Sequence, residues 1–204
     1  MIYDLTTLSL LPNTLGAVLP LLPRTYEGFS STGKVLGAFS CEFGVLNRFT
    51  FLTAYESVEA LTTERARLMQ TEDAYGIAPY LGGVTSTAFK PLRFMGEIET
   101  GAFGPFYEFR TYTLAPNGLP ETEEAWSKVV PRRNEISRVL TVMASIEEGP
   151  TRMVHIYPYA NIADRQAARA QASKEGIWPP PGGSGKLTAL QNELFVATGY
   201  SDLK

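Results

Sequence analysis

Any imidazole chemistry in this 204-residue chain falls to one residue, because His155 is its single histidine. It stands in Val154-His155-Ile156-Tyr157-Pro158-Tyr159. Alternation there predicts a strand with His155, Tyr157 and Tyr159 on one face. Such a histidine suits a general base or a single axial ligand to haem. A second alternating set, Glu108, Arg110 and Tyr112, lies opposite Tyr107, Phe109 and Thr111. With the latter three packed beneath helices, the polar three face the interior. Glu108 and Arg110 would pair there, as buried charges must, and the Arg110 fork could take a substrate carboxylate. His155, Arg110 and Tyr112 are therefore the catalytic candidates. Glu108, Tyr157, Tyr159 and Trp178 are the ligand-binding candidates. The structural alternative makes the same residues a satisfied ion pair and a hydrogen-bonded core histidine.

Other chemistries find less support. Cys41 is the only cysteine, so no intrachain disulfide is possible; with one cysteine and one histidine, no structural zinc site is expected either. It reads as a small hydrophobe. Glu42 and Glu147 recur beside predicted turns, where repeated local hydrogen bonding accounts for them. Gly182-Gly183-Ser184-Gly185-Lys186-Leu187 fails as a phosphate loop, since Leu187 replaces the Mg²⁺-binding hydroxyl and Pro180 the first glycine. With Trp178-Pro179-Pro180-Pro181 it reads as a loop covering a barrel mouth, with Trp178 as lid or anchor. No cofactor is expected from these motifs.

The elements that must position these residues are written twice. Tyr3-Asp4-Leu5-Thr6-Thr7 returns as Tyr107-Glu108-Phe109-Arg110-Thr111; Ser40, Glu42 and Gly44 return as Ser145, Glu147 and Gly149. Tyr55, Ser57, Arg65 and Ala66 return as Tyr159, Asn161, Arg169 and Ala170. A repeat of about a hundred residues is too long for a solenoid unit and suits a duplicated domain. The boundaries predicted are 1–100 and 101–204.

Each half yields the same order. Opening strands span Ile2 to Leu10 and Phe106 to Leu114. Helices follow: Leu15, Val18, Leu19 and Leu22 share one helical face, and Pro120 with Glu121, Glu123 and Glu124 suits a helix start. Leu22-Pro23 and Val130-Pro131 place a kink or end near each proline. A hairpin comes next, from Val35 to Glu42 and Phe49 to Tyr55, and from Leu140 to Glu147 and Met153 to Tyr159. Ser57 and Asn161 cap a second helix. Last strands lie near Thr85 to Phe94 and Thr188 to Thr198. The class is α+β: two tandem ferredoxin-like β-α-β-β-α-β units. Phe49, Phe51, Val154 and Ile156 make both sheet faces apolar. Two sheets packed together remove the bare faces from water, predicting a pseudo-two-fold barrel of about eight strands with helices outside.

Bulk properties limit the partners. A formal charge of −3 argues against nucleic acid, and the densest basic run, Arg132-Arg133, reads as a solvated helix end. Leu15 to Leu22 is far short of the roughly 20 residues that span a bilayer, so no membrane insertion is expected. Met1-Ile2-Tyr3-Asp4-Leu5 lacks a basic start, which makes the cytoplasm the expected compartment. A small-molecule ligand is the partner the barrel suggests.

Gly44-Val45-Leu46-Asn47-Arg48-Phe49-Thr50-Phe51-Leu52-Thr53-Ala54-Tyr55-Glu56-Ser57 resembles the hairpin-and-strand signature of the NIPSNAP family. Tyr107-Glu108-Phe109-Arg110-Thr111-Tyr112-Thr113-Leu114 resembles its opening strand, and Gly149-Pro150 with Val154-His155-Ile156-Tyr157-Pro158-Tyr159 resembles the hairpin again. The resemblance covers nearly the whole chain as two copies. It implies the dimeric α/β-barrel superfamily, whose members include small monooxygenases and haem-handling proteins, and a tendency to form homodimers. It implies no agreed catalytic set. The first copy departs from the pattern: Thr6 stands for Arg110, Leu8 for Tyr112, and Phe51 where the family often has histidine. The functions left open are a barrel binding a small, largely apolar molecule, a monooxygenase or haem-handling enzyme using the second copy, and a non-catalytic interaction scaffold.

Overall fold

β-Branched and aromatic alternation produces strands where the sequence calls for them. In chain order the elements are β1 (Ile2–Leu10), α1 (Leu15–Val18), α2 (Leu22–Gly28), β2 (Lys34–Phe43), β3 (Arg48–Tyr55), α3 (Val58–Gln70) and β4 (Leu81–Pro91). The second half repeats them as β5 (Phe106–Leu114), α4 (Leu119–Ile136), β6 (Thr141–Ser145), β7 (Arg152–Tyr159), α5 (Ile162–Lys174) and β8 (Leu187–Ala197). The computed structural model describes residues 1–182 and 185–204; Gly183 and Ser184, in the loop read as a mouth cover, lie outside the described residues.

Local chemistry sets the element ends. Ser57 accepts from the Ala60 amide at 3.2 Å, and Asn161 from the Asp164 amide at 2.9 Å, so both second helices start on side-chain caps. The Asp164 carboxylate takes the Asn161 side-chain amide instead of completing a capping box. Pro120 lies in the first turn of α4, as expected. Three expectations need correction. The first helix breaks into α1 and α2, leaving Leu15 and Leu19 exposed, and Pro23 starts the second piece. Of the kink or end expected at Pro131, the end does not occur: α4 runs on to Ile136, with Val130 and Arg133 buried on either side of the proline. β4 begins before Thr85, at Leu81, because Leu81 and Gly83 pair with Leu10 and Ser9 of β1 around a register shift at Gly82, despite the low strand propensity of glycine.

The strands close in the order β1-β3-β2-β8-β5-β7-β6-β4. Each half supplies a block of four, β4-β1-β3-β2 and β8-β5-β7-β6, with every pairing antiparallel. The blocks meet along two short seams, Phe39 to Phe43 with Ala197 to Leu194, and Phe89 to Pro91 with Ser145 to Met143. Beyond the seams, residues 81–87 and 187–193 pair on one side only. Tyr3, Phe39, Leu52, Tyr107, Phe109 and Phe195 pack along the barrel axis. Helices lie outside, over Leu8, Phe49 and Phe51 in the first half and over Tyr112, Met153 and Tyr157 in the second. Among the described residues no helix is long and apolar enough to cross a membrane.

Candidate functional site

The seven candidate residues come together, on the face opposite to the one expected. Tyr107 and Phe109 point into the barrel, where Phe39 lies 4.8 and 5.3 Å from their rings and Phe195 4.7 Å from Phe109. Glu108, Arg110 and Tyr112 therefore face the helices. Both faces of β5 carry aromatic rings, so apolar content could not decide between them. The partners decide it: α5 supplies Arg165 and Arg169, which the buried Glu108 carboxylate needs, and α4 supplies Trp126 beside Tyr112 and Arg133 beside Tyr157 and Tyr159.

β5 and β7 run antiparallel with Arg110 opposite His155 and Glu108 opposite Tyr157. Glu108, 1% exposed, accepts from Arg110 Nη1 at 3.1 Å and Arg165 Nη2 at 2.6 Å, with Arg169 Nη1 at 3.6 Å. Arg110 Nε donates to the Tyr112 hydroxyl at 2.9 Å. Arg133, expected on a solvated helix end, is instead buried, donating to Tyr159 at 3.2 Å and lying 5.1 Å above the Tyr157 ring; Arg132 meets the expectation and pairs with Glu175 outside. Trp178 is no barrel lid: it packs 4.7 Å from Trp126 and closes the helix layer over His155. Glu42 and Glu147 do not share a site; Glu147 pairs with Arg65 at 2.6 Å, while Glu42 is exposed.

His155 has 0% exposure. Its Nδ1 lies 2.7 Å from the Tyr157 hydroxyl, and the Tyr112 and Trp126 rings stand edge-on at 4.6 Å each. Burial, then the charges of Arg110, Arg169 and Arg133, hold its pKa well below the ordinary 6.5. Burial likewise pushes Tyr157 well above 10, so the tyrosine keeps its proton in the hydrogen bond it shares with Nδ1. The imidazole is enclosed on every side by its own sheet and helix layer. The linkage follows from the depressed value. Below about pH 6.5 the unfolded chain binds a proton that the folded chain refuses. Stability contributed by His155 is thus present above pH 6.5 and is lost as pH falls, at about 1.4 kcal/mol per unit. Urea unfolding of the wild type and of His155→Phe, the residue Phe51 supplies in the first half, should show this slope only in the wild type between pH 6.5 and 5. An unchanged slope in the variant would remove His155 as its source.

The barrel axis holds the second feature, a cavity of about 550 Å³ open at one end. Its floor is Leu5, Phe89, Phe109, Val154 and Phe195; its walls carry Thr7, Thr50, Thr85, Thr87, Thr111 and Thr113, with Gln191. Thr7 and Thr50 hydroxyls meet at 2.9 Å. Two arginines stand at the rim, Arg48 in an ion pair with Glu193 and Arg152 donating to the Thr87 hydroxyl at 3.2 Å. None of these lining residues was a candidate site residue from the sequence, and Phe109 and Thr111, expected beneath the helices, line the lumen instead. The legible signal was threonine at alternate positions, Thr85 and Thr87, Thr111 and Thr113, facing the same way on two strands. The lumen residues do not fit a haem: its lining offers no imidazole, thiolate or phenol as axial ligand, and His155 lies on the other side of the sheet.

The NIPSNAP family description matches residues 3–80 and 107–202. Protein NipSnap homolog 3B of Mus musculus is 37% identical over 76 residues, 37% of this chain and 31% of the mouse protein. The chain thus spans about a third of that relative's length. Protein NipSnap homolog of Dictyostelium discoideum is 24% identical over 187 residues, 87% of this chain and 78% of that protein. In three dimensions the chain is similar to an anthrone oxidase-like protein, with a TM-score of 0.71, 11% identity and coverage of 97% and 91%. It is also similar to a protein of Lactobacillus acidophilus NCFM provisionally named a monooxygenase, with a TM-score of 0.66, 9% identity and coverage of 96% and 93%. These two likenesses concern the fold.

Proposed function

The chain belongs to the NIPSNAP family, and on that premise we propose that its barrel is a receptor for one small, largely apolar molecule held in the lumen. The open cavity of about 550 Å³, with a floor of aromatic and aliphatic side chains under a wall of threonines, carries the reading. Its size falls within the range of small-ligand pockets, and its mixture of apolar body and few polar groups is what such pockets share. The hydroxyls can orient one end of a ligand without the desolvation cost of charge.

The neutral fluorescent probe N-phenyl-1-naphthylamine tests it. Saturable binding to the wild type is expected, lost when Thr111→Trp fills the lumen while the melting temperature shows the barrel intact. Equal binding by wild type and Thr111→Trp would place the probe elsewhere and end the reading.

A second reading, an oxygenase acting through His155, Arg110 and Tyr112, draws support from the likeness in fold to the anthrone oxidase-like protein. The full burial of His155 weighs against it. Oxygen consumption abolished by His155→Phe would favour this second reading over a passive receptor.

The two-copy organisation, 1–100 and 101–204, belongs to the same proposal. It is supported by the two matched segments and by the repeated block order.

A further inference from the structure

The two halves place equivalent residues around the lumen mouth. Arg48 opens β3 and Arg152 opens β7. Each reaches across the gap beyond a seam, to the strand that the other half would pair there. Arg48 reaches β8 at Glu193, which stands opposite Phe109 on β5; Arg152 reaches β4 at Thr87, which stands opposite Leu5 on β1. Leu5 and Phe109 are themselves equivalent, as the opening repeat shows, so Glu193 and Thr87 occupy the same place in their halves. The pseudo-two-fold is broken there in charge: one arginine meets a carboxylate, the other a neutral hydroxyl.

The consequence is electrostatic. Glu193 is neutralised by Arg48. Of the two carboxylates on the hairpin before Arg152, Glu147 is held by Arg65 at 2.6 Å and by the Ala88 amide at 2.8 Å, and Glu148 forms no ion pair among the described residues. Arg152 makes no ion pair with any described residue; its side chain has the Thr87 hydroxyl alone, and its backbone amide donates to Ser145 Oγ. The rim thus carries one exposed guanidinium with no ion pair among the described residues, its charge felt by Glu147, which Arg65 holds. Beneath it lie Leu5, Phe89, Phe109, Val154 and Phe195.

We propose that Arg152 with Thr87 is the anion receptor of the lumen, and that the ligand is an amphipathic carboxylate whose apolar body fills the cavity while its head pairs with Arg152. The inference rests on the lumen reading above and adds the class of ligand. A guanidinium presents two parallel donors to a planar carboxylate, and the Thr87 hydroxyl can rotate to give a third. Hydrogen bonds to charged groups contribute roughly 1.5–3 kcal/mol, on the order of tenfold to a hundredfold in affinity.

Displacement of N-phenyl-1-naphthylamine by decanoate and by 1-decanol, which share a body and differ in the head, tests it at neutral pH. The wild type should bind decanoate on the order of tenfold more tightly than 1-decanol. Arg152→Gln removes the charge, and Thr87→Glu recreates the pairing of the first arginine; each should bring decanoate down to the level of 1-decanol or below. Equal binding of the two by the wild type, or a carboxylate preference that survives Arg152→Gln, overturns the inference and leaves the lumen as a receptor. Failure of the naphthylamine itself to bind overturns both.

Discussion

Glu108→Ala is expected to lower the melting temperature by on the order of 10 °C. The carboxylate is buried and is the common acceptor for Arg110, Arg165 and Arg169. Removing one partner of a buried ion pair costs roughly 3–5 kcal/mol, because the remaining charge stays desolvated. Here three guanidiniums lose it together, although Arg165 and Arg169 are partly exposed and recover water. At about 2–4 °C per kcal/mol for a chain of this size, the shift is large enough to read by circular dichroism. Glu108→Gln keeps an acceptor of the same shape and should lose less. A variant melting within about 2 °C of the wild type would mean that the three arginines are satisfied without the carboxylate.

Trp126→Ala should cost about 3–5 kcal/mol, the usual range for emptying a buried aromatic site. Trp126 is 1% exposed on α4 and touches Tyr112, His155 and Trp178 edge-on. Its indole N–H has no partner, so the loss is one of packing and not of a hydrogen bond. Because Trp126 is part of what keeps His155 dry, the same variant should weaken the acid-linked loss of stability. Trp178→Ala, at a half-buried position, should cost less. The ordering of the two variants in urea unfolding is the check. A larger loss for Trp178→Ala would put the weight of the layer in the loop and not in the helix.

The architecture was largely legible, and the site only in membership. Ile2–Leu10 and Phe106–Leu114 stand where alternation puts them, and the barrel follows from strands apolar on both faces. The candidates of the second half do gather, since residues two apart on paired strands must share a face. Which face was not legible. Phe109 and Tyr112 are comparable anchors on opposite sides of β5, and the choice rests on Arg133, Arg165 and Arg169, whose approach from α4 and α5 is tertiary. For the same reason Arg133 reads as solvated in sequence and is buried in the fold. The rim residues Arg152 and Thr87 are far apart in the chain; only the closure of the barrel brings them together.

The seams also order the events by which the chain reaches its final form. Within each half, strand pairs join segments of the same half through registers of up to eight or nine residues, the first and last strands of a half included. The β4–β6 seam joins strands on either side of the inter-half connection. The β2–β8 seam joins near-opposite ends of the chain, where the Ala38 amide meets Ser201 Oγ across 163 positions. Contacts of that separation bear the largest entropic cost of loop closure, and little pairing rewards them. The β2–β8 seam is therefore expected to form after the pairings within each half, and the lumen with its rim arginines is complete only once that stitch is made.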